Sequence, residues 1–491
     1  MELLKKAKRK TEVNPEGSTV LARKSEIQLY LEASNLNLKK NSFYKYAEDK
    51  LEGFLKLGKE VDEAFVLGLA KFLSDRGLKT SPVILTSVLS DRKFSFREHP
   101  KVIDIFNTPN RLAEAVALSN LKKVKLNNSF KKNILKIALQ NMQEHTLKKN
   151  KLKHKEIKLR DLIKLFRPKP RDEKISKLYK AIIENTKEAS LKETEENIVA
   201  IKSSTRLGKE TKKKILKSEA MLDKVPVNQL IRNLKFYAEE YDFKNNLEVQ
   251  EKVHKRLESI NNYRILNIFD IITASIYVPQ FEKLLFEIVK KFVEETKKAF
   301  DYGEEITILF DTSYSMQGEG VRKGFLYLVL FSALFNKVNL RCFSDELFSE
   351  SKTLERIILK IRLGSISEAY QNFRTYFSKY SGGTALIESM RDLIEEKPEE
   401  KNYIVISDEV SWQEGSYLVN EINSLSGMLK NKNLILINPE VYKGTVFKEN
   451  VVAVSSLNPS ILLDMAILFD ENGFIKFIKE YDTAKPQTQT G

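Results

Sequence analysis

The run Ile306-Thr-Ile-Leu-Phe310 followed by Asp311-Thr-Ser313-Tyr-Ser315 decides how this chain reads. An apolar, strand-like segment ends on a turn that carries one carboxylate and two hydroxyls. Such oxygens are ligands for a hard cation: Mg²⁺ takes oxygen donors in octahedral geometry and retains several waters, so a few hydroxyls beside one or two carboxylates suit it. Two further segments extend the set. Ser381-Gly-Gly-Thr384 precedes a helical pattern and offers another hydroxyl, and Tyr403-Ile-Val-Ile-Ser-Asp408 is a second apolar strand ending in a carboxylate. Loops that follow parallel strands meet at the carboxyl edge of the sheet, where open α/β folds bind ligands. The expected ligands are therefore Asp311, Ser313, Ser315, Thr384 and Asp408, with Mg²⁺ or another divalent cation as cofactor. Taken singly, Asp311, Ser313 and Thr384 could equally serve as helix N-caps.

The order of D-x-S-x-S, a distant threonine and a strand-terminal aspartate resembles that of von Willebrand factor A domains. The resemblance implies a Rossmann-like sheet carrying a metal-ion-dependent adhesion site over residues 301–483.

A chain of 491 residues exceeds what one hydrophobic core usually serves, and its 42% hydrophobic and 31% charged content is globular. No apolar stretch reaches the roughly 20 residues of a membrane helix. The start, Met-Glu-Leu-Leu-Lys-Lys-Ala-Lys-Arg-Lys, has neither the apolar core nor the cleavage site of a signal peptide, so the expectation is a cytoplasmic protein without membrane contact. Cys342 is the only cysteine, which excludes disulfides within the chain and thiolate clusters. His99, His145, His154 and His254 lack zinc-ligand spacing.

The net charge of +16 is unevenly placed: residues 301–491 hold 20 basic and 27 acidic side chains, leaving an excess of +23 on residues 1–300. Within the basic part, Lys122–Arg171 holds 17 basic residues against Glu144, Glu156 and Asp161. Such a surface attracts a polyanion, and nucleic acid bound there releases counterions. The candidate RNA-binding side chains are Lys122, Lys123, Lys125, Lys131, Lys132, Lys136, Lys148, Lys149, Lys151, Lys153, Lys158, Arg160, Lys164, Arg167 and Lys169. They interleave with apolar residues in Asn133-Ile-Leu-Lys-Ile-Ala-Leu139 and Arg160-Asp-Leu-Ile-Lys-Leu-Phe166, so helix packing keeps them on an ordered face. A well-solvated helical face without a ligand is the plainer reading of any one lysine run.

Along the chain, residues 1–18 read as a flexible basic arm, 19–300 as helices with apolar spacing near 3.6, and 484–491 as a disordered tail. Breaks at Thr108-Pro-Asn110 and Arg167-Pro-Lys-Pro170 separate short helices, as in an α-solenoid. Beyond Gly303 the period changes, and strand patterns at 306–310, 338–343, 403–407, 434–437 and 451–454 alternate with helices. That is the signature of a parallel sheet covered on both faces. The expected class is multidomain, α followed by α/β.

A basic helical array followed by this second domain resembles the TROVE-module family of Ro ribonucleoproteins. The resemblance rests on Leu69-Ala-Lys-Phe-Leu-Ser-Asp-Arg-Gly-Leu-Lys-Thr-Ser-Pro82, Leu159-Arg-Asp-Leu-Ile-Lys-Leu-Phe-Arg-Pro-Lys-Pro170, Asn228-Gln-Leu-Ile-Arg-Asn-Leu234 and Ser407-Asp-Glu-Val-Ser-Trp412. It implies a monomeric ring of HEAT-like repeats closed by the A domain. Small structured noncoding RNA of the Y type would bind the basic outer surface, and single-stranded 3′ ends of misfolded RNA would enter the central hole. A tethering RNA could connect the ring to polynucleotide phosphorylase. The chain departs from the family at Ile157-Lys-Leu159, where Trp-Ser-His is common, and so lacks a histidine contact to Y RNA.

No catalytic constellation competes with a binding role. Gly208-Lys-Glu-Thr211 lacks the upstream glycine and strand of a phosphate loop, so the chain reads as a non-enzyme. The alternative of a different class is a protein-adhesion or assembly factor, with the helices as a docking solenoid. A Mg²⁺ nuclease would need Asp311 and Asp408 to support hydrolysis.

Overall fold

The computed structural model describes residues 19–20, 24–35, 44–75, 78–121, 123–149, 157–186, 222–223, 225–260, 266–348, 351–378, 385–408, 427–429, 432–439, 445–448, 451–455, 457 and 461–481. The class is α plus α/β. One compact unit comprises Met1–Lys24 with Lys224–Phe474, and the other Ser25–Asp223 with Ile475–Gly491.

The first unit is built on a sheet of seven strands: β1 (Thr19–Val20), β2 (Glu305–Asp311), β3 (Lys337–Phe343), β4 (Asn402–Ile406), β5 (Asn433–Asn438), β6 (Thr445–Lys448) and β7 (Val451–Ser455). Their order is β1-β6-β7-β5-β4-β2-β3. Every neighbouring pair is parallel except β6 with β7. The central strands are buried along nearly their whole length because helices cover both faces, and they read as continuous apolar runs rather than alternating ones. Helix Glu319–Leu334 follows β2 and lies close on it. A Cβ on Gly324 would sit 2.3 Å from the Phe310 ring, so only glycine allows that approach.

Two features differ from the sequence expectation. The short strands β1 and β6 extend the sheet, and β1 occupies residues 19–20, which the sequence assigns to the helical domain. Helices Val227–Arg232, Leu234–Glu240, Leu247–Glu258, Ile268–Tyr277 and Glu282–Lys297 belong with the sheet, so this unit starts at Lys224 and not at 301. Phe269 packs edge-on against Tyr327 at 4.9 Å, and Glu282 accepts a hydrogen bond from the Ser367 amide at 3.0 Å. Helical periodicity announces an apolar face; it does not say which core covers that face.

The second unit is helical. Helices Glu63–Asp75, Ser81–Asp91 and Pro109–Asn120 bury Phe65, Leu69, Ile84, Leu89 and Leu112. Local chemistry starts them: Asp62 accepts from the Phe65 amide at 3.1 Å, Pro82 sits in the first turn of its helix and Pro109 opens the third; further on, Asn127 caps the short helix Asn128–Phe130 by accepting from the Phe130 amide at 2.7 Å. Arg111 is a buried tie whose guanidinium donates to the Ile105 and Leu78 carbonyls and to Ser74 Oγ. Near the chain's end, the Ile478 carbonyl lies where a Gly68 Cβ would be, and Phe72 meets Phe477 and Tyr481 edge-on. Among the described residues no helix is long and apolar enough to cross a membrane.

Candidate functional site

Asp311 ends β2, and Asp408 follows the end of the adjacent parallel strand β4, which puts both at the carboxyl edge of the sheet. Asp311 is fully buried. Its Oδ1 accepts from the Ser313 amide at 2.7 Å and its Oδ2 from Ser407 Oγ at 2.5 Å. From there a chain of oxygens leads outward: Ser313 Oγ to Ser315 Oγ at 3.0 Å, and Ser315 Oγ, as donor, to Asp408 Oδ1 at 3.0 Å. The loop is held from below by Thr312, whose amide and hydroxyl both donate to the Phe343 carbonyl at 2.9 Å. Of the expected ligands, Asp311, Ser313, Ser315 and Asp408 are thus brought into one constellation. Thr384 lies outside the described residues; the next residue, Ala385, donates its amide to the Ser344 carbonyl at 2.7 Å.

The geometry does not use these side chains as caps for the following helix. The N-cap of Glu319–Leu334 is Gly318, at φ 80°, and Ser313 precedes the short helix Tyr314–Met316 without capping it through its hydroxyl. Burial pushes the Asp311 carboxyl up to about 6, against the pull of the Ser407 and Ser313 hydrogen bonds, and the nearby charge of Asp408 raises it further. A carboxylate buried at this cost, with hydroxyls and a second carboxylate beside it, is an anionic oxygen cluster seeking a counter-charge. Nitrogen and sulfur are not part of it: the buried Cys342 thiol on β3 is held neutral, its pKa raised by burial. Among the described residues no group of three or more His, Cys, Asp or Glu side chains could hold a metal. Asp311, Ser313, Ser315 and Asp408 offer oxygen donors alone, the ligand type of a hard cation.

Ser407 is the residue that the sequence reading missed. It reads as a strand-end serine before Asp408, yet its hydroxyl ties β4 to the Asp311 carboxylate across the sheet edge. Tyr314, between Ser313 and Ser315, is 73% exposed.

The second candidate surface is basic. Helix Leu159–Phe166 buries Leu159, Leu162, Ile163 and Phe166 and exposes Arg160 and Lys164. The helix ends on Arg167 in the left-handed region at φ 46°, and Arg167 and Lys169 are both exposed. Lys132, on the π-helical segment Lys131–Leu135, Lys125 and Lys158 are exposed, whereas Lys131 and Lys136 are half-buried. Acids already engage part of the set: Lys123 pairs with Glu52, Lys148 with Glu144 and Arg160 with Asp161. Lys132, Lys164, Arg167 and Lys169 form no ion pair among the described residues. Lys122, Lys151, Lys153 and the Lys149 side chain lie outside the described part.

No protein-family model matches this chain, and no curated protein matches it.

Proposed function

We propose that this protein is an RNA-binding ribonucleoprotein scaffold of the Ro kind, in which basic helices hold a structured noncoding RNA. In this reading the helices of the unit Ser25–Asp223 supply HEAT-like repeats of a ring, the sheet-bearing unit that includes Lys224–Phe474 supplies a von Willebrand factor A-like fold, and the ring's hole takes the single-stranded 3′ end of aberrant RNA. The observation that carries it is the exposed group Lys132, Lys164, Arg167 and Lys169. Lys132 and Lys164 stand on helical backbone, Arg167 and Lys169 on the segment that leaves helix Leu159–Phe166, and none of the four is neutralised by described acids. A folded cationic face pays little entropy to order its lysine stems against phosphates, and it keeps register with a structured RNA better than a floppy tail does.

The metal site completes the proposal. Asp311, Ser313, Ser315 and Asp408 would hold Mg²⁺, with Thr384, the hydroxyl that the sequence adds to the set, as a further ligand. A bound Mg²⁺ supplies a hard positive centre at which an anionic group of a partner can dock. The protein's own residues do the rest: Ser407 and the Ser313 amide fix the Asp311 carboxylate, and Thr312 anchors the loop to β3. Tyr314 favours a second reading, that of a protein-adhesion factor, because tyrosine is enriched in protein interfaces and this one stands 73% exposed beside the oxygen cluster.

Binding of one hairpin RNA with and without a single-stranded 3′ tail to the full chain tests the proposal. Tighter binding of the tailed form, with both RNAs left intact in Mg²⁺, is expected. Equal affinity counts against threading, absence of RNA binding leaves the adhesion reading, and cleavage points to a nuclease.

A further inference from the structure

Where β5 leaves the sheet, Asn438 is fully buried and its Nδ2 donates to the Asp408 carbonyl at 3.0 Å. The next residue, Pro439, gives its carbonyl to Lys323 Nζ at 3.0 Å. Lys323 lies on helix Glu319–Leu334, the helix that follows the Asp311–Ser315 loop. One end of the neighbouring strand therefore grips both sides of the constellation: the backbone that carries Asp408, and the helix that continues the serine loop. Two side-chain hydrogen bonds also cross the gap: the buried one from Ser407 Oγ to Asp311 Oδ2 at 2.5 Å, which holds Asp311, and the solvent-exposed one from Ser315 to Asp408 at 3.0 Å, which is weak by itself.

A buried asparagine is a poor choice for plain packing, since an unpaired amide costs free energy that an apolar side chain avoids. Here its amide fixes the direction in which the chain emerges from β4, and with it the place from which the Asp408 carboxylate faces Ser315. We infer that Asn438 and Lys323 are positioning residues that hold Asp408 against the serine loop in the spacing a small divalent cation requires. This rests on the reading of the constellation as a cation site.

The sign of the Lys323 effect separates positioning from charge. Removing a lysine close to a cation site relieves repulsion and should strengthen cation binding. Removing a strut should weaken it. Mg²⁺ demands near-ideal geometry whereas Ca²⁺ tolerates irregular shells, so loss of positioning must fall more heavily on Mg²⁺.

Calorimetric titration of the full chain with Mg²⁺ and with Ca²⁺, for wild type, Asn438→Ala and Lys323→Met, gives the test, with melting in chelator recorded in parallel. The expected result is a Mg²⁺ affinity lower by about 10- to 100-fold in each variant, the scale on which outer-shell partners act, and a smaller loss for Ca²⁺. If Asn438→Ala melts early, Lys323→Met, a half-buried surface change, decides alone. Wild-type binding with unchanged or tighter Mg²⁺ binding by Lys323→Met overturns the positioning role, as does an equal loss for both ions. A wild type that binds neither ion overturns the cation site itself and the inference with it.

Discussion

Asp311 carries the tension of the site at the scale of a single residue. Its carboxyl is raised to about 6, first by burial, whereas an aspartate in the unfolded chain titrates near 3.9. The folded, metal-free protein therefore binds the extra proton between about pH 4 and 6, and stability contributed by this group falls as pH rises through that window. Two pK units correspond to about 3 kcal/mol. Asp311→Asn keeps the shape and removes the charge, so in chelator it should stabilise the protein by about 2 kcal/mol at pH 7.5 and by almost nothing at pH 4. Urea unfolding of both proteins at the two pH values checks this, and a difference that does not change with pH rejects it. The same substitution should remove divalent-ion binding. That Asp311, Ser313, Ser315 and Asp408 meet at one sheet edge was legible because each follows or ends an apolar, strand-like run. Ser407 and Asn438 were not, since a serine and an asparagine at strand ends look like ordinary turn residues until the register of β4 and β5 is known.

Elements differ in how clearly they announce themselves. Strands β2, β3, β4, β5 and β7 were readable as short apolar runs separated by helical patterns. β1 and β6, at two and four residues, are too short to show a period. Helix Glu319–Leu334 lies so close to β2 that Gly324 has no room for a side chain: its Cβ would meet Phe310 at 2.3 Å and Ile406 at 3.1 Å. Gly324→Ala gains about 1 kcal/mol of helix propensity. Overpacking costs typically 1–3 kcal/mol, and because the ring of Phe310 is itself wedged against Phe373 and Phe377, it cannot yield easily. A net loss on the order of 1–2 kcal/mol in thermal or urea melts is the expected outcome. An unchanged or raised midpoint would show that the helix sits further from the sheet.

At the scale of the whole molecule, the division at Lys224 matters for any experiment on fragments. Helices Ile268–Tyr277 and Glu282–Lys297 bury Phe269, Ile272, Leu285 and Val289, and their partners include Tyr327 and Ser367. A fragment of residues 301–491 would expose the apolar surface these helices cover. It should express poorly or aggregate, while a fragment beginning at residue 225 should be more soluble and melt cooperatively. Equal cooperativity and solubility of the two fragments would contradict this packing. The sequence placed the boundary at 300 because the change from helical to alternating pattern falls there, and periodicity does not reveal which core a helix joins.

RNA affinity of the full chain as a function of salt is the most direct test of the central claim. If exposed basic side chains make roughly six phosphate contacts, binding of a structured RNA should weaken about a thousandfold between 50 and 200 mM salt. Reversing Lys132, Lys164, Arg167 and Lys169 to glutamate should lower the affinity at 50 mM salt and flatten that dependence, with the melting temperature kept, because all four are exposed. A steep salt slope in the wild type and a shallow one in the quadruple variant is the predicted pair of results. RNA binding that is absent, or equally tight at both salt concentrations and in both proteins, would contradict the account.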